Sequence, residues 1–386
     1  MKIQPFPRNV MTRASVCLQV TVIMILLSCT THTGIKDGEQ YANRASGQGI
    51  IDTTIGYQYP SYLVGEYQKT LADIHTARTP ESAIILFATD LHYSFPGSNY
   101  YEYALMNGIN NLFGTIRKMS TDVSPDLCVY GGDYVQLPLP GEGQTKAMGF
   151  KTLDFQLQQM RKISTPQFLI IGNHERYYSG NSNSAGMTND EFYEYVQRPF
   201  VDNGTVKQAG NSKMLFYRDD PKTKLRYLFI STPDLNFKPL YNDLTTICND
   251  TPEDYALLVF NHFTGSRENG IPKVYSAVAQ CINHIQHSGK ELVAWIGGHN
   301  HADMSYVHNG TLVISCLQSG YLTPDISEDG VKYEHRKDHY TESALSVIII
   351  RKDLGKIFIK RMGLGRDREF NYNTKSGPIG LTGWTD

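Results

Sequence analysis

Short, continuous apolar runs stopped by glycine or polar residues punctuate the middle of this chain, at residues 83–88, 126–130, 168–171, 256–260 and 291–296. Each is too short for a helix and does not alternate, which predicts strands buried on both faces. Between the first two, Leu105, Ile109, Leu112, Phe113 and Ile116 recur at helical spacing and predict a core-facing helix over 99–119. Phe150, Leu153, Leu157 and Met160 predict another over 146–162, and a third should cross over at 273–288. Strands and helices in this rhythm imply parallel strand pairs with helices outside. Residues 214–217 and 225–230 flank Asp219-Asp220-Pro221-Lys222, the mark of two strands joined by a turn, and should open a second sheet. Asn309-Gly310, between 304–307 and 311–315, is a type I′ hairpin signal, and 345–351 with 356–360 reads as another hairpin.

The ordered domain is expected over 57–365. Residues 30–56 are rich in Thr, Gly, Asn, Asp and Gln and read as a flexible tether, 178–189 as a Ser, Asn and Gly-rich mobile insert, and 366–386 as a loosely packed polar tail. Ahead of the tether, Lys2, Arg8 and Arg13 precede an apolar run from Val16 to Leu27, as in an export signal over 1–29. Leu26-Leu27-Ser28-Cys29 resembles a bacterial lipobox, so the mature protein is expected in the periplasm or cell envelope, held to a membrane by acyl chains on Cys29. Cys128, Cys248, Cys281 and Cys316 then remain in an oxidising compartment. Cys128 and Cys316 sit in strand-like runs; Cys248 in a polar loop and Cys281 on a helix are expected to pair as a disulfide. Lys plus Arg number 36 against 38 Asp plus Glu, a formal charge of −2, which supplies no broad basic surface and argues against a nucleic-acid partner.

The chemistry lies at the strand ends. Asp90-Leu91-His92, Gly131-Gly132-Asp133, Gly172-Asn173-His174-Glu175, His262 and Gly298-His299-Asn300-His301 each follow an apolar run. Loops at the carboxyl ends of parallel strands gather at one sheet edge, so these residues should converge on a metal site. Of the eight donors Asp90, His92, Asp133, Asn173, His174, His262, His299 and His301, the seven other than His174 suit two ions bridged by a single carboxylate at a separation of about 3.5 to 4 Å. Mixed nitrogen and oxygen donors favour Mn, Fe, Zn or Co over Mg.

This order of motifs, from about residue 83 to 302, resembles the calcineurin-like metallophosphoesterases. The resemblance implies an α/β (α+β) fold, a four-layer sandwich of two mixed β-sheets flanked by helices. It implies that Asp90, His92 and His301 hold one divalent ion, that Asn173, His262 and His299 hold the other, and that Asp133 bridges them. The expected reaction is hydrolysis of a phosphodiester or phosphomonoester by hydroxide formed between the ions, with His174 protonating the leaving oxygen. Gln136 stands where family members often have Asp or Asn, and Tyr134 lacks the spacing of the purple acid phosphatase tyrosine, so no tyrosinate-iron colour is expected. Arg176 and Arg267 could contact phosphate but read equally as solvated surface, and stay outside the site set. The competing readings are a noncatalytic envelope lipoprotein that binds glycan or lipid, and an exported nuclease. His174, a proton donor that a binding module does not need, favours the enzyme, and the lack of net positive charge weighs against the nuclease.

Overall fold

The computed structural model describes residues 59–93, 104–136, 146–176, 186–268, 271–320, 325–326 and 332–372. The expected export signal, Cys29, the expected tether and the 178–189 segment up to residue 185 lie outside these. In chain order the elements are α1 (Ser61–Ala77), β1 (Ala83–Ala88), α2 (Ala104–Asp122), β2 (Leu127–Tyr130), α3 (Lys146–Met160), β3 (Gln167–Leu169) and α4 (Asn189–Phe192). A π-turn at Tyr193–Gln197 leads into α5 (Arg198–Asp202), followed by β4 (Lys207–Gln208), β5 (Leu215–Asp220), β6 (Leu225–Ile230), α6 (Tyr241–Asn249) and β7 (Ala256–Asn261). Next come β8 (Gly265–Glu268), β9 (Ile271–Val274), α7 (Ser276–His287), β10 (Leu292–Gly297), β11 (Met304–His308) and β12 (Thr311–Ser315). The chain closes with β13 (Asp325–Ile326), β14 (Lys332–Tyr333), β15 (Ala344–Arg351), β16 (Lys356–Gly363) and β17 (Arg368–Asn371). Among the described residues no helix is long and apolar enough to cross a membrane.

Two large mixed sheets result, one in the order β17-β16-β15-β1-β2-β3 and one in the order β11-β12-β10-β7-β6-β5-β4. The unbroken apolar runs follow from the layering. Side chains alternate along a strand, so a strand covered on both faces must be apolar at every position. In β1, Ile84 and Leu86 join Leu63, Ile109, Phe113 and Leu157 from the helices, while Ile85 and Phe87 turn inward against Phe229, Leu258 and Phe260 of the other sheet. Leu228, Leu257, Val259 and Trp295 face α6 and α7 through Leu244, Ile247, Val278 and Ile282. Helices, sheet, sheet, helices: the expected four-layer sandwich is the observed fold. The Asn309-Gly310 turn has φ of 47° and 78°, the left-handed pair that a type I′ hairpin requires.

Several expectations need correcting. Helix α1 was not foreseen, although Leu63, Tyr67, Thr70 and Ile74 make a buried helical stripe. The crossover helix begins at Ser276, because residues 265–268 and 271–274 first pair as the antiparallel strands β8 and β9. The insert ends by Thr188, whose side chain and that of Glu191 form a reciprocal cap that starts α4. The tail expected from 366 begins instead with β17, where Arg368 and Phe370 are buried. The Cys248–Cys281 disulfide is absent: Cys248 lies in the last turn of α6 rather than in a loop, and both thiols are free and buried in the layer between α6, α7 and the sheet. There each fills space as a small apolar side chain.

Candidate metal centre

Within the first sheet β1, β2 and β3 run parallel, and within the second β6, β7, β10 and β12 do. Their carboxyl ends therefore deliver Asp90 and His92, Asp133, and Asn173 with His174 from one sheet, and His262, His299 and His301 from the other. The loops need unusual backbone. Asp90, His92, Asp133, His299 and His301 all have positive φ, between 45° and 72°. Left-handed non-glycine residues are rare and cost energy, and strain of this kind concentrates where a side chain must be aimed. Glycine is needed at Gly172 and Gly298 among others: a Cβ on Gly172 would strike the Asp133 carboxylate and amide, and one on Gly298 would strike the Asp90 carboxylate and Thr89 Oγ1.

Asp90, His92, Asp133 and His301 bring one donor atom each within 4.8 Å of one another, and so do Asp133, His262 and His299. Asp133 belongs to both groups. In the first, His92 Nε2 lies 2.8 Å from His301 Nε2 and 3.8 Å from both Asp90 Oδ1 and Asp133 Oδ2, and His301 Nε2 lies 3.5 Å from Asp90 Oδ1. In the second, His262 Nε2 lies 3.2 Å from Asp133 Oδ2, 3.2 Å from His299 Nδ1 and 2.9 Å from Asn173 Oδ1. His262 Nδ1 is 2.9 Å from Gly131 O, so it carries the proton and donates it to that carbonyl, leaving Nε2 turned toward Asp133. His174 stands at the rim. Its backbone N–H donates to Asp133 Oδ1 at 2.8 Å, its ring meets His92 edge-on at 4.6 Å, and its Nε2 is 4.0 Å from Asp133 Oδ2.

The chain matches the calcineurin-like phosphoesterase family over residues 83–303, more than half its length. It belongs to that family. No curated protein sequence matches the chain. Among solved structures it is similar to a dimetal phosphatase from Danio rerio, at 10% identity and a TM-score of 0.51, covering 75% of this chain and 99% of that one. It is also similar to the purple acid phosphatase PPD1 from yellow lupin (Lupinus luteus) seeds, at 13% identity and a TM-score of 0.42, covering 79% of this chain and 54% of that one.

In this calcineurin-like phosphoesterase the electrostatics of the bare donors suit cations. Burial alone would push the Asp90 carboxyl up, yet His301 and His262 outweigh it and bring it to about 2; Asp133 is likewise held well below the ordinary carboxylate range, chiefly by His262 and His174. Burial lowers His92 to about 3 and His299 to about 4, keeping both imidazoles neutral with a lone pair to offer. His262 is the exception: burial pulls it down, but the Asp133 carboxylate beside it lifts it to about 9. Clustered anionic and neutral donors, five of them on strained backbone, fit divalent metal binding.

Glu175 is a site residue to which its sequence motif assigned no role. Fully buried, it accepts the backbone N–H groups of Asp133 (3.0 Å) and Gly172 (2.7 Å) on Oε2 and those of Tyr134 (2.6 Å) and Val135 (3.2 Å) on Oε1. It thereby locks the turn that carries Asp133. The signal was available in principle, since a tight Gly-Gly-Asp turn leaves buried N–H groups that something must accept. Arg176 is exposed and pairs with Asp234 at 2.7 Å, as the solvated-surface reading had it. The Arg267 side chain lies outside the described residues. Gln136 continues the bridge between Tyr93 and Val135 by donating its N–H to Tyr93 O at 3.0 Å.

Proposed function

We propose that this family member hydrolyses a phosphate ester, monoester or diester, using two divalent ions. Asp90, His92 and His301 would hold one, Asn173, His262 and His299 the other, and Asp133 both. The observation that supports this reading is the sharing of Asp133 between two donor groups, each of which combines residues from both sheets. When bound, such a pair supplies Lewis acidity toward phosphate oxygens and lowers the pKa of water. The nitrogen and oxygen donors favour Mn, Fe, Zn or Co.

The chain's own part is positioning and proton transfer. Gly131 O fixes the His262 tautomer. Glu175 holds the backbone of Asp133, and the N–H of His174 holds its carboxylate. His174, 31% exposed and just outside both donor groups, is suited to protonate the leaving oxygen. A binding module on the same fold would have no use for that group, which favours the enzyme over the noncatalytic lipoprotein. Export and lipidation of Cys29 complete the proposal, so the substrate would be met at the cell envelope.

The test is an assay of an aryl phosphomonoester and an aryl phosphodiester with added Mn, alongside measurement of bound metal. Turnover of either supports the reading; silence on both with metal bound sinks it. Mass spectrometry of the mature amino terminus checks the anchor, and a terminus beyond Cys29 removes it.

A further inference from the structure

The inward face of the first sheet changes character near the site. Along β16, Ile357 and Ile359 pack between the sheets, and two residues on stands Arg361; along β17, Phe370 packs there and two residues earlier stands Arg368. Both guanidinium groups converge on one carboxylate. Arg361 Nη2 lies 2.6 Å and Arg368 Nη2 2.7 Å from Asp303 Oδ1, and all three side chains are nearly sealed from solvent, at 0 to 2% exposure. Asp303 immediately precedes β11 of the second sheet and follows His301 by two residues. The cluster is tied at both ends: Arg361 Nη1 donates to Ser346 Oγ on β15 at 2.6 Å, and Arg368 Nη1 donates to Ser315 O on β12 at 3.1 Å.

A buried group of two cations and one anion is a poor source of stability, because desolvating three charges offsets most of their attraction. Its value lies in geometry. A guanidinium fork fixes direction as well as distance, and these forks run from one sheet to the other beside the loop that carries His299 and His301. The donors of the metal centre are themselves divided between the sheets, so the spacing of the sheets sets how well the donors meet.

We propose that Asp303, Arg361 and Arg368 form an inter-sheet staple that sets the affinity of the metal centre without touching an ion. They are positioning residues, and the inference rests on the two-ion reading above. It also means that the functional unit extends past the matched segment, through β16 and β17.

The test uses full-length mature protein without substrate, measuring melting temperature and Mn binding by titration calorimetry. The triple variant Asp303→Leu, Arg361→Met, Arg368→Met replaces the cluster with apolar groups of similar size, so it should melt no lower than wild type yet bind Mn about tenfold more weakly or worse. Arg361→Lys keeps the charge but gives up one arm of the fork, and serves if the triple variant does not fold; it should bind Mn about threefold more weakly. Folded variants with wild-type Mn affinity overturn the staple alone. Wild-type protein that binds no Mn overturns the staple together with the two-ion reading.

Discussion

His262 Nε2 lies 3.2 Å from Asp133 Oδ2, although the two side chains leave different sheets. Asp133 belongs to the other donor group as well, so it joins the two. If Asp133 is shared by two ions, Asp133→Asn should lower bound metal below the wild-type level and cut turnover on the order of 10³-fold, the equivalent of several kcal/mol of lost charge stabilisation. Elemental analysis of the purified variant beside its kinetics checks this. Full metal content with near-normal turnover would remove Asp133 from the bridging position.

His174 makes a sharper prediction, because a proton donor matters only as much as the leaving group needs a proton. His174→Ala should retain its metal and lose about 10² to 10⁴-fold in turnover of alkyl esters, whose leaving oxygens are strongly basic. The loss should shrink for aryl esters with acidic phenols. An equal loss on both classes would point to a role in holding the substrate instead.

The sequence was most legible where burial imposes a simple rule. Runs such as 83–88 and 256–260 had to be strands because they are apolar at every position, and their ends marked where Asp90 and His262 would emerge. Legibility failed where a residue's partner is distant. Nothing local to Arg368 announces that Asp303 will bury it, so β17 read as a polar tail. Cys248 looked loop-borne because α6 is short and mostly polar in sequence, with Leu244, Ile247 and Cys248 as its buried side. Glu175 was missed for a related reason: the Gly-Gly-Asp turn announces N–H groups in need of an acceptor, but nothing local says that the acceptor is a residue some forty positions on. The sheets were readable and the fastenings between loops were not.

Removing the metal with a chelator should leave a protein whose stability peaks near neutral pH. His92 and His299 titrate near 3 and 4 when folded but near 6.5 when unfolded, so the unfolded chain binds more protons on acidification and stability falls as pH drops from about 6.5 toward 3. His262 acts in the opposite sense. Raised to about 9, it holds a proton that the unfolded chain releases, so its contribution is full below about 6.5 and is lost as pH rises through 9. Thermal melts of chelated protein across pH should show both limbs, and His262→Asn should flatten the alkaline one. An unchanged alkaline limb in that variant would rule His262 out as its source.

Glu175 should prove a support for Asp133 rather than a spare acid. Its two oxygens each accept two backbone N–H groups, so Glu175→Gln puts an amide NH₂ against a pair of donors that no longer have an acceptor. Each buried donor left unpaired costs about 1–3 kcal/mol, enough to lower the melting temperature by several degrees. The turn bearing Asp133 would also loosen, so Mn should bind more weakly in the variant even where it stays folded. Burial, with the neighbouring Asp133 carboxylate, pushes the Glu175 carboxyl up to about 7, and the N–H groups of Gly172 and Val135 oppose that rise by favouring the charged form. Calorimetric melts and Mn titrations of wild type and Glu175→Gln decide the matter. Matching melting temperatures and matching affinities would show that the turn holds its shape without the carboxylate.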